Sequence, residues 1–391
     1  MLPRILVYIL IPWPVLLVQG STADSSKKSP AAPTRPPSRP PPPLGDPSWA
    51  LGLHLYRALR SDSISVNTLF SPLLVASSLG ALDGGSAGTT SSQLQNLLKT
   101  PSPSKAGAHA GDLLSKALKI FTAANGTSFH LHTSSALFSK QAPPVSQAFV
   151  KESQARFRLL YQPLGKGDSK ADLKQLHGWA KAGLGGLEGA RLAADIQVKA
   201  GALILANALR FKGLYRLHED IENMVQVLEV PLCGGKASVV LLMPFHVESL
   251  ARLEKLLTPE LLSKWLEKTN ITSVSISLPK TNITSTLSLQ KQLTALGLTD
   301  AWDQKVADFS RVSDKGKGKL HLGGVLHWAC LELAAQAGKG DADLEEENVE
   351  KPKLFYADHP FIIFVRDNTT GALLLMGALD HAEGEALHDE L

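Results

Sequence analysis

The chain has 391 residues, 44% of them hydrophobic and 19% charged, a composition that suits one large globular domain or two ordinary ones. With 40 Lys and Arg against 36 Asp and Glu, the net charge is +4, which gives no strong field for nucleic acid and makes such a partner unexpected. Two cysteines, Cys233 and Cys330, are too few for a disulfide scaffold, so a packed core must hold the fold.

The first residues read as an address. Residues 1–20 carry one basic residue, Arg4, then an apolar stretch interrupted by Pro12 and Pro14, with small residues at Gly20, Ser21 and Ala23. That order predicts a cleaved signal peptide, because the prolines and the short run do not make an anchor that crosses a bilayer. Residues 21–46, with Pro30, Pro33, Pro36, Pro37 and prolines throughout 40–43, are expected to form an extended, solvated tail.

Folding should begin near Pro47. Trp49, Leu51, Leu55, Ala58 and Leu59 recur at helical spacing, as do the apolar positions of residues 72–82 and 94–98, so the first third is helix-rich. From Gly201 the texture changes: residues 202–209 and 239–243 are short apolar runs bounded by Gly or Pro, as buried strands are. Thr258 and Pro259 supply the N-cap and first residue of a helix carrying Leu261, Leu262, Trp265 and Leu266. A further helix is expected from about Leu287 to a stop at Gly297. Residues 361–365 and 373–376, around a turn at 367–371, read as a hairpin. Helices first, then strands interleaved with helices and no regular βαβ alternation, predict an α+β fold, with the packed domain over residues 47–380.

Residues 381–391 form a tail that closes with His388, Asp389, Glu390 and Leu391, a retrieval signal read by a receptor of the endoplasmic reticulum. The two ends together predict a resident of the reticulum lumen, not inserted in the membrane. Asn125, Asn270, Asn282 and Asn368 each head an N-x-[ST] triplet and are glycosylation acceptors in that compartment. Cys233 and Cys330 could pair there, although nothing in the sequence sets their separation.

A search for catalytic chemistry finds no complete constellation. Gly84, Gly85, Ser86, Ala87 and Gly88 satisfy G-x-S-x-G, the elbow that presents a nucleophilic serine after a strand. The preceding residues have helical texture and residues 89–93 open another helix, so the glycines predict a helix–helix turn. His130 and His132 would share one strand face, but no carboxylate or cysteine stands at ligand spacing beside them, so no metal site is expected. There is no H-E-x-x-H, P-loop, complete dinucleotide fingerprint or C-x-x-C.

The acidic residues 338–353 predict an exposed loop. Directly after it, Leu354, Tyr356 and Asp358 alternate onto one face of a strand. A leucine, a tyrosine and a carboxylate could form a binding strip there. Equally, that face could pack under a neighbour with Asp358 bonded locally, and spacing alone leaves both readings open.

Residues 355–365 resemble the C-terminal signature of the serpin family, and residues 67–98, 201–213 and 278–280 resemble its other hallmark segments in the family's order. Residues 243–248, 250–257 and 353–361 and the terminal tetrapeptide are similar to the collagen-binding branch of that family, clade H. The resemblance implies a helix-rich fold with three β-sheets. It also implies a non-inhibitory chaperone of the endoplasmic reticulum that binds the procollagen triple helix and releases it on acidification, with no enzyme activity and no cofactor. By this match Asp358, Leu354, Tyr356 and Ser277 would meet collagen, Asp358 taking an arginine at a Y position. His359 and His246 are the candidates for the acid switch.

The alternative is a serine protease inhibitor of the serpin type, which inserts a cleaved loop into a sheet. The matching hinge here, residues 332–341, contains Leu333, Gln336, two glycines and charged residues, a poor strand for insertion. A carrier of a small apolar ligand is a third reading and would need a closed pocket. One departure stands out: about thirty residues of the family pattern are missing after Gly213, with several strands and an arginine of the collagen surface, a loss that would expose sheet edges.

Overall fold

The computed structural model describes residues 47–62, 67–98, 112–113, 115–117, 119, 129–165, 168–187, 198–213, 218–222, 225–232, 236–245, 250–268, 274–277, 281–333 and 353–380. The leader, the proline-rich tail, the hinge and acidic loop at 334–352 and the retrieval tail lie outside these residues, as do Asn125, Asn270, Cys233 and His246.

The first helix, α1, spans Pro47–Asp62 and is followed by the short strand β1, Thr68–Phe70. Ser71 then caps α2, Pro72–Gly85, its hydroxyl accepting from Leu74 N at 3.3 Å, with Pro72 in the first turn. The helix–helix turn that the sequence predicts is present, with Gly84 and Gly85 closing α2, Ser86 and Ala87 forming the break and Gly88 opening α3, Gly88–Leu97. Gly85 is forced by packing: a Cβ there would come within 2.4 Å of Val312 and 2.6 Å of Phe149. Ser86 is fully buried and donates to Asp83 O at 3.0 Å, so it is no exposed nucleophile.

Strand β2, Phe129–Ser139, helix α4, Gln147–Phe157, strand β3, Leu159–Pro163, and helix α5, Ser169–Gly183, follow. The strand-rich part comprises β4, Ala202–Gly213, β5, His218–Glu222, β6, Val225–Leu232, and β7, Ala237–Pro244. Two helices, α6, Ala251–Leu256, and α7, Pro259–Lys268, come next, and Thr258 Oγ1 accepts from Leu261 N at 3.2 Å as the expected cap of α7. Then come β8, Val274–Ser277, β9, Thr281–Ser288, α8, Gln290–Ala295, β10, His321–Leu333, β11, Lys353–Tyr356, β12, Phe361–Asp367, and β13, Leu373–Leu379. Leu287 corrects the sequence reading: it lies in β9 opposite His327 of β10, and the helix starts three residues later, at Gln290. Pairing with a long neighbouring strand overrides the helical spacing there.

The strands form three sheets: five strands in the order β3-β2-β4-β10-β9, six in the order β1-β13-β12-β7-β6-β5, and a pair, β11-β8. Helix α5 covers one face of the five-stranded sheet, where Leu176 and Ala180 join Phe138, Ala206 and Trp328. The other face looks inward, where Leu203, Leu205 and Val325 share a core with α1, α2 and the six-stranded sheet. Trp49 pins α1 to the last hairpin by donating to Gly371 O at 2.6 Å, with its ring edge-on to Phe364 at 5.6 Å. Arg60 of α1 bonds both oxygens of Asp380, at 2.5 and 2.8 Å, and Glu254 of α6 at 2.7 Å. No helix among the described residues is long and apolar enough to cross a membrane.

At the centre, His327 Nε2 accepts from Ser71 N at 2.8 Å, while Ser71 Oγ donates to Leu374 O at 2.5 Å. Beside it Asn207 accepts from Ser135 Oγ at 2.7 Å and donates to Ser78 Oγ at 3.1 Å, joining β2 and β4 to α2. Because Nε2 is an acceptor, the buried ring is neutral, and burial lowers its pKa to about 3. Above about pH 6.5 the ring is neutral in both folded and unfolded chains; below that, the unfolded chain takes a proton that the folded one refuses. Stability should therefore fall on acidification by about 1.4 kcal/mol per pH unit from this group. In His327→Gln, urea unfolding should show about 2 kcal/mol less loss between about pH 7 and about pH 5 than in the parent.

Candidate functional site

The candidate strip begins where β11 lies parallel to β8, with Leu354 opposite Ser275 and Tyr356 opposite Ser277. Two segments remote in the sequence thus bring Ser277 beside Tyr356, as a shared site requires. The side chains of Leu354, Tyr356 and Ser277 are not among those described. Phe355 and Ala357 are buried at 1% and 7% exposure in the core beneath, so alternate positions along this segment anchor it inward.

Asp358 differs from the sequence reading in one respect: β11 ends at Tyr356, so the carboxylate sits in the turn that follows the strand. No ladder bond holds it, and its side chain is 72% exposed. Next to it, the His359 side chain is 8% exposed. Its Nδ1 lies 2.7 Å from Asp358 Oδ1, and its Nε2 lies 2.7 Å from Pro244 O at the end of β7. Both partners are acceptors, so the ring can donate to both only when each nitrogen carries hydrogen. A neutral ring serves one and presents a lone pair to the other. The sequence marked Asp358 and His359 as neighbours, but the carbonyl of Pro244 was invisible to it because more than a hundred residues of chain, from α6 to β11, lie between the two.

The remaining candidates separate. Asn368 lies in the turn between β12 and β13, and its Nδ2 donates to Ser238 Oγ at 2.7 Å, so a glycan there would have to be attached before the turn closes. Asn282 stands in β9 opposite Glu332, with its side chain outside the described set. His130 and His132 lie on β2 as expected, and the register sets Lys212 and Arg210 opposite them, cations that oppose a metal ion. Cys330 is a free, buried thiol whose pKa burial pushes up to about 11; Cys233 lies outside the described residues.

The family comparison matches the serpin (serine protease inhibitor) model over residues 48–217 and 212–381. The chain belongs to the serpin family. The two matched stretches meet at residues 212–217, between β4 and β5, where the sequence departs from the family pattern after Gly213. Among relatives, Serpin H1 of Mus musculus is 34% identical over 382 residues, covering 89% of this serpin and 90% of the relative. The fold is similar to that of native protease nexin-1 crystallised with heparin, with a TM-score of 0.72 at 22% identity over 86% of this chain and 99% of that one. It is also similar to uncleaved ovalbumin, with a TM-score of 0.73 at 19% identity and the same coverage.

Because Asp358 is largely solvated, its pairing with His359 contributes little to stability. Asp358→Asn, whose amide can donate to a neutral ring, should change the unfolding free energy by less than about 0.5 kcal/mol in urea titration.

Proposed function

We propose that this serpin is a non-inhibitory, collagen-specific chaperone of the endoplasmic reticulum lumen that grips the procollagen triple helix and lets go on acidification. The observation that carries the reading is the Asp358 carboxylate, exposed at the end of a strand whose alternate residues are buried. A triple helix hides its glycines and displays its X and Y side chains on a stiff rod, so a partner must read protruding groups. Asp358 takes a charge-assisted, bidentate bond from an arginine at a Y position. Leu354 and Tyr356 lie against the proline-rich surface, and Ser277 adds a polar contact. The reading assigns no catalytic residue and no cofactor. Residues 1–20 serve as signal peptide and 21–46 as solvated tail. The serpin domain occupies 47–380, and the tail at 381–391 returns the protein through the retrieval receptor. Asn125, Asn270, Asn282 and Asn368 are the sites open to glycosylation in that lumen.

Release follows from His359. Acidification charges the ring, which then donates to both Pro244 O and Asp358 and competes with arginine for the carboxylate. His246, two residues beyond Pro244, is the second candidate for this role.

The deciding experiment measures binding to an arginine-containing triple-helical peptide, to its heat-melted strands and to an arginine-free version. Binding should need both the arginine and the intact triple helix; equal binding to melted strands sinks the reading. Asp358→Asn should lose about 2 to 5 kcal/mol of affinity, nearly abolishing binding, while Ser277→Ala retains most of it. In the same assay His359→Ala should release at a lower pH than the parent; an unchanged midpoint removes His359 from the mechanism.

Protease inhibition remains the second reading because the two central strands of the large sheet, β4 and β10, run parallel, an arrangement that can admit a strand antiparallel to both. An SDS-stable adduct with a serine protease would favour it over the chaperone.

A further inference from the structure

The edge strand of a sheet offers unpaired N–H and C=O groups to any further strand, and proteins blunt such edges by shortness, charge, proline or a bulge. Most edges here follow that rule. On the six-stranded sheet, β1 has three residues, and β5 carries Glu219, Asp220 and Glu222. On the five-stranded sheet, β3 has five residues and ends in Pro163. The strands of the β11-β8 pair have four residues each.

Strand β9, at the other side of the five-stranded sheet, has none of these protections. It runs for eight residues, Thr281–Ser288, without a charge or a proline, and its register with β10 continues without a shift. Among the described residues β10 is its sole strand partner. Its inner face is anchored, with Ile283 and Ser285 at 3% and 6% exposure. On its other face, positions 282, 284, 286 and 288 lie across from Glu332, Cys330, Trp328 and Leu326. Helix α5 packs on that face over β2, β4 and β10, yet Thr284 and Ser288 are exposed, so the cover stops short of β9. Strand alternation places Asn282 on the same uncovered face, and its N-x-[ST] triplet, Asn282 to Thr284, lies within the open strand itself.

We propose that a glycan on Asn282 guards this edge, and that the bare edge joins a second copy of the chain, β9 to β9, antiparallel about a twofold axis. A second copy fits because the strand is uncharged along its whole length, so self-pairing sets no like charges opposite one another. A twofold contact also needs only one segment, used by both copies. Each copy would bring its glycan to the seam, and two bulky, hydrated groups on one eight-residue ladder keep the sheets apart. The guard rests on the lumenal reading, since the glycan is added in that compartment; the joining of bare edges does not.

The test compares full chains made in secretory cells, reading the glycan at Asn282 by peptide mass and the solution mass by light scattering. The parent should carry the glycan and be monomeric. Thr284→Ala removes the triplet and leaves the edge uncharged, and its solution mass should rise about twofold with concentration. Thr284→Lys removes the triplet equally but adds a charge to the strand, and it should stay monomeric. Thr284→Ser keeps the triplet and should match the parent. Should Thr284→Ala fail to fold, Asn282→Gln and Asn282→Lys make the same comparison. A parent without glycan at Asn282, a monomeric Thr284→Ala, or a Thr284→Lys as dimeric as Thr284→Ala overturns the proposal. Binding of the parent to the triple-helical peptide tests the collagen reading separately, because β9 belongs to a different sheet from β8 and β11.

Discussion

One uncharged imidazole organises the centre of this serpin. His327 must accept a hydrogen bond from the Ser71 backbone, and Ser71 in turn caps α2 and donates to the carbonyl of Leu374 in the six-stranded sheet. A single residue thus joins a helix start to both large sheets, and the join tolerates no charge because its surroundings are wholly buried. The Asn207 bonds to Ser135 and Ser78 extend the same tie across β2 and β4. Directional bonds at such a crossing specify how the layers stack, which apolar burial alone leaves loosely defined, and they do so although His327 Nδ1 is buried without a partner.

The outer rim works by the opposite chemistry. Phe355 and Ala357 bury themselves beneath β11, and the chain then turns out and leaves Asp358 in water. A carboxylate in solvent contributes little to the fold, so it is free to be used for recognition. His359 lies half a step inward and faces two acceptors at once. That arrangement links the rim to the end of β7.

Between centre and rim lies the junction of β4 and β10. These strands are parallel, and a sheltered ion pair between Arg210 and Glu332 crosses from one to the other. The chain is also shorter here than the family pattern: β4 ends at Gly213, β5 begins at His218, and the family match restarts at residue 212. The shortening leaves a six-stranded sheet that ends on β5, while the third sheet, among the described residues, consists of β8 and β11.

Much of this was legible in the sequence. The N-cap at Thr258, the turn after α2, the apolar runs that became β4 and β7 and the terminal hairpin all follow from local chemistry, because caps, turns and buried strands are set by residues close together in the chain. The sequence alone also pointed to the family, and the resemblance, not the spacing, singled out Asp358 for the proposed contact. Local spacing failed at Leu287, where a neighbouring strand outweighed helical periodicity, and at Asp358, which lies past the end of its strand. What the tertiary structure decided is which remote groups meet: Ser277 beside Tyr356, Pro244 O against His359, Arg210 across from Glu332, and Ser71 on His327. Those contacts depend on strand order and register, which the pattern of apolar residues along one strand does not encode, since any strand with the same alternation could have been its neighbour.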